Sequence, residues 1–281
     1  APGAGGAGDG GPATLASIGG VPDLVVASDG TLYFAEYRDE WPDGGRVRAV
    51  RPDGILETVV GGGLLGPESE CWTTPLDMRL RVPYGLAIGP DGSLYIVDRS
   101  GPTSLSRIYR LWPDGTLLLE VGPSSVCAPI VVRELDGSRI AMRRDGTLAI
   151  ASAVQVITYR SDRVGTAPDF GFARFAGTGF LSTCGMQSGP ATATPICFIT
   201  DIDWAPDGSL VISADRHIKV VRDGFFTTIA GQGTTVVGDT PVSATEWEGY
   251  GGQGPSMGMG PDGSLYFGRT VVSMAPGNRE I

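Results

Sequence analysis

Five Asp-Gly turns, evenly spaced and each set between two apolar runs, predict an all-β chain: a β-propeller of four-stranded antiparallel blades. The turns are Asp29-Gly30, Asp91-Gly92, Asp145-Gly146, Asp207-Gly208 and Asp262-Gly263, separated by 62, 54, 62 and 55 residues. An Asp-Gly pair between apolar runs is a strong local hairpin signal, because such turns need positive φ, which Gly and Asp tolerate. A long, near-constant period marks a repeat architecture, in which each small sheet buries its faces against its neighbours. Composition is the third observation. Gly 44 and Pro 21 fall at regular points between apolar runs in the 281 residues, which argues for tight turns against disorder.

Each repeat reads as four short strands, a to d. In the second, Leu86-Ala87-Ile88 is strand a, Leu94 to Val97 strand b, Arg107 to Leu111 strand c and Leu117 to Val121 strand d. A further Asp-Gly turn, Asp114-Gly115, joins c to d, and Asp53-Gly54 and Asp223-Gly224 do the same in the first and fourth repeats. The third repeat is the most degenerate, with strand c near Val154 to Tyr159, and the fifth stops after strand c. A single domain over 1–281 is expected, with repeats at about 8–61, 62–121, 122–177, 178–231 and 232–281. Aligned on their turns, the a strands alternate large residues (Leu24, Leu86, Ile140, Ile202, Met257) with smaller ones (Val25, Ala87, Ala141, Gly258), and Asp203 is the exception. Such alternation suits packing where neighbouring sheets converge. Before the first strand, Pro12 to Ile18 predicts one helical turn, with Asp9 as its cap.

Gly8-Asp9-Gly10-Gly11-Pro12-Ala13-Thr14, Gly89-Pro90-Asp91-Gly92-Ser93-Leu94-Tyr95-Ile96-Val97-Asp98 and a following Arg107-Ile108-Tyr109-Arg110 resemble NHL repeats. The variety is similar to that of bacterial teneurin-like and Rhs/YD-repeat proteins. The resemblance covers nearly the whole chain and is weakest in the third repeat. It implies a β-propeller used mainly as an extracellular recognition surface. NHL propellers are often six-bladed, so the five visible repeats imply either a five-bladed ring or part of a six-bladed one. The chain begins just after a d strand would end and stops just before one would begin. It therefore reads as a fragment of a larger chain, or as a ring whose last blade is one strand short.

Charge and residue inventory narrow the function classes. A formal net charge of -10 argues against a nucleic-acid partner, which needs a basic surface. No apolar run approaches the length of a membrane span. Lys219 is the only lysine and Asn278 the only asparagine, a usage that points to a GC-rich bacterial genome. His217 is the only histidine. A zinc lyase of the kind some NHL-like propellers resemble needs several histidines, so none is expected here, nor a Ser-His-Asp triad. No catalytic residue and no resident cofactor is assigned.

Calcium is the cofactor that stays open. Propeller enzymes that resemble calcium-dependent lactonases gather carboxylates at the central channel, and hard cations want several converging oxygens. Asp23, Asp201 and Asp203 are the candidates, with Arg139 at the position aligned with Asp23 and Asp201. An Asp–Arg–Asp arrangement reads structurally as an ion pair. Functionally, it could hold a small polar ligand or a peptide carboxylate at the channel mouth. Glu36 and Asp98, at the ends of b strands, are expected to accept hydrogen bonds from nearby turn backbone. Asp39, Glu40 and Trp41 lie in an acidic loop and form the candidate partner contact, since Trp is enriched at interface hot spots.

Function then reads as a non-catalytic extracellular interaction or adhesion scaffold, secreted or at a cell surface, that presents its inter-blade loops to other proteins or flanking domains. The alternative is a calcium-dependent propeller hydrolase or lactonase. Cys71, Cys127, Cys184 and Cys197 all fall in d-to-a connections, with no Cys-x-x-Cys metal spacing. Such connections emerge on one face, which predicts Cys71–Cys127 bridging two loops and Cys184–Cys197 within one. Each bridge would stabilise the chain by about 2–4 kcal/mol. Peptide mapping without reduction is expected to recover these two linked pairs. Four free thiols would remove both the pairing and the exported location.

Overall fold

The computed structural model of the chain describes residues 8–37, 44–65, 74–100, 105–122, 130–131, 139–160, 172–180, 187–231, 257–260, 262–267 and 272–274. They fall in two compact units, Ala1–Ser138 and Arg139–Ile281. Both are all-β. Among the described residues the one helical element is the 3-10 turn Ala13–Leu15, which the sequence predicts.

In the first unit, strands β1 (Leu24–Val26), β2 (Leu32–Glu36), β3 (Arg46–Val50) and β4 (Leu56–Gly61) form one antiparallel sheet in chain order. Strands β5 (Pro83–Ile88), β6 (Leu94–Ser100), β7 (Leu105–Leu111) and β8 (Leu117–Gly122) form the next, and β9 (Ile130–Val131) adds to β8 in parallel. The two sheets meet through Leu86, Ile96, Tyr109 and Leu119 of the second and Ala35, Val47 and Val60 of the first, with Met78 and Leu80 from the connection. The large a-strand position is buried in the second sheet, where Leu86 is 2% exposed, but Leu24 is 55% exposed. Leu24 belongs to the first of its unit's described sheets.

The second unit repeats the plan. Strands β10 (Arg139–Met142), β11 (Thr147–Ala151), β12 (Val156–Arg160) and β13 (Ala173–Ala176) make a four-stranded sheet. A five-stranded sheet follows in the order β14-β18-β17-β16-β15, built from β14 (Gly189–Pro190), β15 (Ile199–Trp204), β16 (Leu210–Ala214), β17 (His217–Arg222) and β18 (Phe225–Ala230). The last sheet holds β19 (Met257–Met259), β20 (Leu265–Phe267) and β21 (Val272–Met274). Ile202, Trp204, Ile212 and Phe226 share one core with Ala141, Ala149 and Val156, and Val211 and Ile218 share another with Leu265 and Phe267.

The Asp-Gly turns form the a-to-b hairpins as expected, but the aspartate has a different part from the one foreseen. Gly30, Gly92, Gly146, Gly208 and Gly263 all sit at φ between 81° and 85°, while the aspartate before each is not at positive φ. Instead, Asp29, Asp91, Asp145, Asp207 and Asp262 each accept the backbone N–H two residues on through Oδ1. The turn is thus a three-residue loop, Ser28-Asp29-Gly30 in the first repeat, with glycine alone in the left-handed region and an Asx bond holding it closed. Among the described Asp-Gly turns, only the c-to-d turn Asp223-Gly224 places both residues at positive φ (50° and 74°).

The phrase Gly11-Pro12-Ala13-Thr14, which recurs as Gly189-Pro190-Ala191-Thr192, also acquires a physical meaning. Gly11-Pro12 lies antiparallel beside the start of β4: Leu56 N donates to Gly11 O, and Ala13 N to Gly54 O. In the fourth repeat, β14 lies beside β18 in the same way, and Ala191 N donates to Gly224 O. Each phrase therefore covers the last-strand edge of its own repeat. Asp9 is not a helix cap, as the 3-10 turn has no side-chain cap. It pairs instead with Arg48 at 2.6 Å. Charge attraction to a guanidinium that has no water around it outweighs a helix-end bond to a single turn.

Candidate functional site

The four residues expected at the strand-a starts act on backbone. In the first unit, Asp23 Oδ1 accepts from Leu24 N at 2.9 Å and Oδ2 from Leu86 N at 2.8 Å, which links β1 to β5 of the next sheet. In the second unit, Asp201 repeats this on the same rung, accepting from Ile202 N at 3.0 Å and from Met257 N at 2.7 Å. Asp203, two residues on, accepts from Trp204 N at 2.8 Å and Met259 N at 2.9 Å. Arg139 makes the corresponding link from β10, donating through Nε to Thr200 O at 2.9 Å, with Asp201 Oδ1 3.8 Å away.

The structure thus brings Arg139, Asp201 and Asp203 together within one unit, whereas Asp23 belongs to the other. Hydrogen bonds to charged groups contribute roughly 1.5–3 kcal/mol each, and an edge N–H left unpaired in a packed junction costs about as much. Burial pushes the Asp203 carboxyl above its usual range, and the N–H groups of Met259 and Trp204 pull it back. Asp203 also lines a cavity of about 450 Å3 with Met142, Arg143, Trp204 and Met259, where the Arg143 guanidinium lies 5.2 Å from the Trp204 ring. Among the described residues no group of three or more His, Cys, Asp or Glu side chains is placed to hold a metal ion.

Two b-strand carboxylates accept backbone N–H groups, though from the stretch that leads into strand a, 16 or 17 residues back, and not from a nearby turn. Glu36 accepts from Gly19 N through Oε1, and Asp98 Oδ1 accepts from Arg81 N and Val82 N at 2.9 and 2.8 Å. Both are fully buried. Burial raises the Asp98 pKa to about 6 against those two bonds and the nearby Arg107, and its Oδ2 is buried without a hydrogen-bond partner.

Sequence reasoning missed Arg48, which is fully buried between Glu36 Oε2 (3.4 Å) and Asp9 Oδ1 (2.6 Å). Its register would have exposed it. Arg48 lies opposite Phe34, as Tyr109 lies opposite Ile96 and Lys219 opposite Ile212, so all three occupy one core-facing third-strand position. Lys219 is accordingly buried, which depresses its amine pKa. His217, also lowered by burial, pairs across the ladder with Ala214 at the start of β17. Asp39, Glu40 and Trp41 lie outside the described residues, as do Cys71, Cys127 and Cys184, while Cys197 is buried beside Ile196.

No family model matches the chain. It is 32% identical to Teneurin-m of Drosophila melanogaster over 130 residues, which is 43% of this chain. It is also 32% identical to human (Homo sapiens) Teneurin-1 over 109 residues, 37% of this chain. The chain spans only 4% of the length of each of these relatives. Among solved structures, it is similar to a protein of unknown function from Bacteroides thetaiotaomicron with a TM-score of 0.56, at 12% identity, over 90% of this chain and 53% of that one. A candidate gluconolactonase gives a TM-score of 0.54 at 16% identity, over 93% of this chain and 76% of that one. These likenesses show the fold alone: a β-propeller-like arrangement of four-stranded antiparallel sheets.

Two outcomes follow from the geometry. Asp201→Ala is expected to cost roughly 1–3 kcal/mol, and hydrogen–deuterium exchange should show faster exchange at the Met257 amide while the first unit is unchanged. For Asp98, the folded state holds its proton more tightly than the unfolded chain. Its stabilising effect is full below pH 3.8 and is lost as pH rises through about 6. The loss by neutral pH is roughly 3 kcal/mol. Urea midpoints measured from pH 4.5 to 7 should fall in this window, and Asp98→Asn should flatten the slope.

Proposed function

We propose that the chain is a non-catalytic recognition scaffold, an NHL-like propeller domain of a larger secreted or cell-surface bacterial protein. One observation carries this reading. The aspartates that a calcium-dependent hydrolase would turn toward a cation instead accept backbone N–H groups of their own strand and of the next sheet, at Leu86, Met257 and Met259. Each carboxylate is oriented by the two strands it joins, and among the described residues no three such groups converge as a hard cation would need. The partial similarity to teneurins, of which the chain spans 4%, supports a place within a longer protein.

In this reading the repeats 8–61, 62–121, 122–177, 178–231 and 232–281 form one domain over 1–281, as five blades or as part of six. The connections between blades face other proteins or flanking domains, with Asp39, Glu40 and Trp41 as the contact. They are stiffened by Cys71–Cys127 and Cys184–Cys197, and support for the bridges comes from Cys197, which is buried and not a free cysteine.

The rival is a calcium-dependent hydrolase or lactonase with Asp201, Asp203 and Asp23 at its site. Its support is the fold likeness to the candidate gluconolactonase, which carries no chemistry at 16% identity. Thermal unfolding with and without millimolar calcium separates the two. The expected result is a melting temperature unchanged by calcium in both the native chain and Asp201→Ala. A large rise with calcium that disappears in Asp201→Ala would transfer the protein to the enzyme class.

A further inference from the structure

A cavity of about 660 Å3 lies within the first unit, where the turns of its two sheets meet the segment Thr74 to Leu76. That volume is within the range of small-molecule sites. Tyr33, Trp112, Leu111, Val59 and Leu76 give it apolar wall. Trp112 departs from the repeat. The residue opening the c-to-d turn is Arg51 in the first repeat and Arg222 in the fourth, so no structural rule of the blade demands an indole.

The indole is also fixed in place before any ligand arrives. The Arg110 guanidinium lies 4.4 Å from the Trp112 ring and 5.1 Å from that of Tyr95, and Asp91 Oδ2 anchors it at 2.5 Å. An aromatic wall held by a neighbouring ion pair loses little freedom on binding. Leu76, 55% exposed, stands on the wall with much of its side chain in water.

The polar groups define what the cavity would accept. The Asp29 carboxylate takes the Thr31 N–H and hydroxyl, which hold it below the usual carboxylate range. Arg51 is paired with Glu57. Both charges are therefore answered from within the protein, and neither calls for an ionic ligand. The Thr58 hydroxyl differs. It is buried and has no hydrogen-bond partner, but it lies beneath the wall surface and gives an incoming ligand no polar contact.

We propose that this cavity binds an uncharged, ring-bearing small molecule whose apolar faces meet Trp112 and Tyr33. The site stands apart from the scaffold reading and does not depend on it. p-Cresol, methyl β-glucoside and the anionic p-toluate serve as probes, titrated into the full chain while the tryptophan indole N–H resonances are followed by NMR. A saturable shift of the Trp112 resonance is expected with at least one neutral ring, and binding of p-toluate about tenfold weaker than p-cresol. The tighter of the two neutral probes then names the ring type, aromatic or sugar. Trp112→Ala should abolish binding, monitored through ligand-detected signals. Leu76→Asp, at an exposed position that folding tolerates, should weaken it about tenfold. No saturable shift with either neutral probe, equal binding of p-toluate, or unchanged binding in Leu76→Asp would overturn the proposal.

Discussion

Every sheet in this protein has two edges, and an edge strand presents backbone N–H and C=O groups that pair with nothing in its own ladder. At the first-strand edge the answer is a side chain: Asp23, Asp201 and Asp203 take the N–H groups of Leu86, Met257 and Met259, and Arg139 gives to the carbonyl of Thr200. At the last-strand edge it is the main chain, as Gly11-Pro12 and Gly189-Pro190 lie along β4 and β18. The apolar cores can then close between faces with these edge N–H and C=O groups paired. Junction chemistry at one end and edge cover at the other are two solutions to one requirement.

Buried charge follows from the same packing. Arg48, Tyr109 and Lys219 share a core-facing position, and each long side chain fills space between sheets. A buried cation must meet partners or lose its charge. Arg48 meets Glu36 and Asp9, and at Lys219, 6.0 Å from the Phe226 ring, burial lowers the amine pKa against the pull of Asp215. The repeat therefore tolerates different chemistry at one geometric site, provided the volume is filled.

Much of the architecture was legible because turn chemistry is local. An Asp two residues before a Thr or Ser and one before a Gly writes its own loop, so the hairpins and strand alternation could be read directly. The aspartates at the strand-a starts were visible as candidates, but their purpose was not. It depends on a partner more than fifty residues away, and a carboxylate that accepts a neighbour's N–H looks in sequence like one that accepts a cation. Arg48 was overlooked because an arginine in a strand reads as solvent-facing until its register is aligned with Phe34. The cavity beside Trp112 was equally hidden, as it arises from segments of two repeats and their connection.

The Gly-Pro segments bear on how the chain is made. Each precedes, in sequence, the strand whose edge it covers, so during synthesis the cover leaves the ribosome before the hairpins it will close. A nascent repeat can then be sealed by material already exposed, without waiting for the next one. Proline adds a second effect, because Pro12 and Pro190 have no N–H to offer an incoming strand. The sealed edge is a poor template for pairing between unfinished chains, and the interval in which repeats could join out of order is correspondingly short.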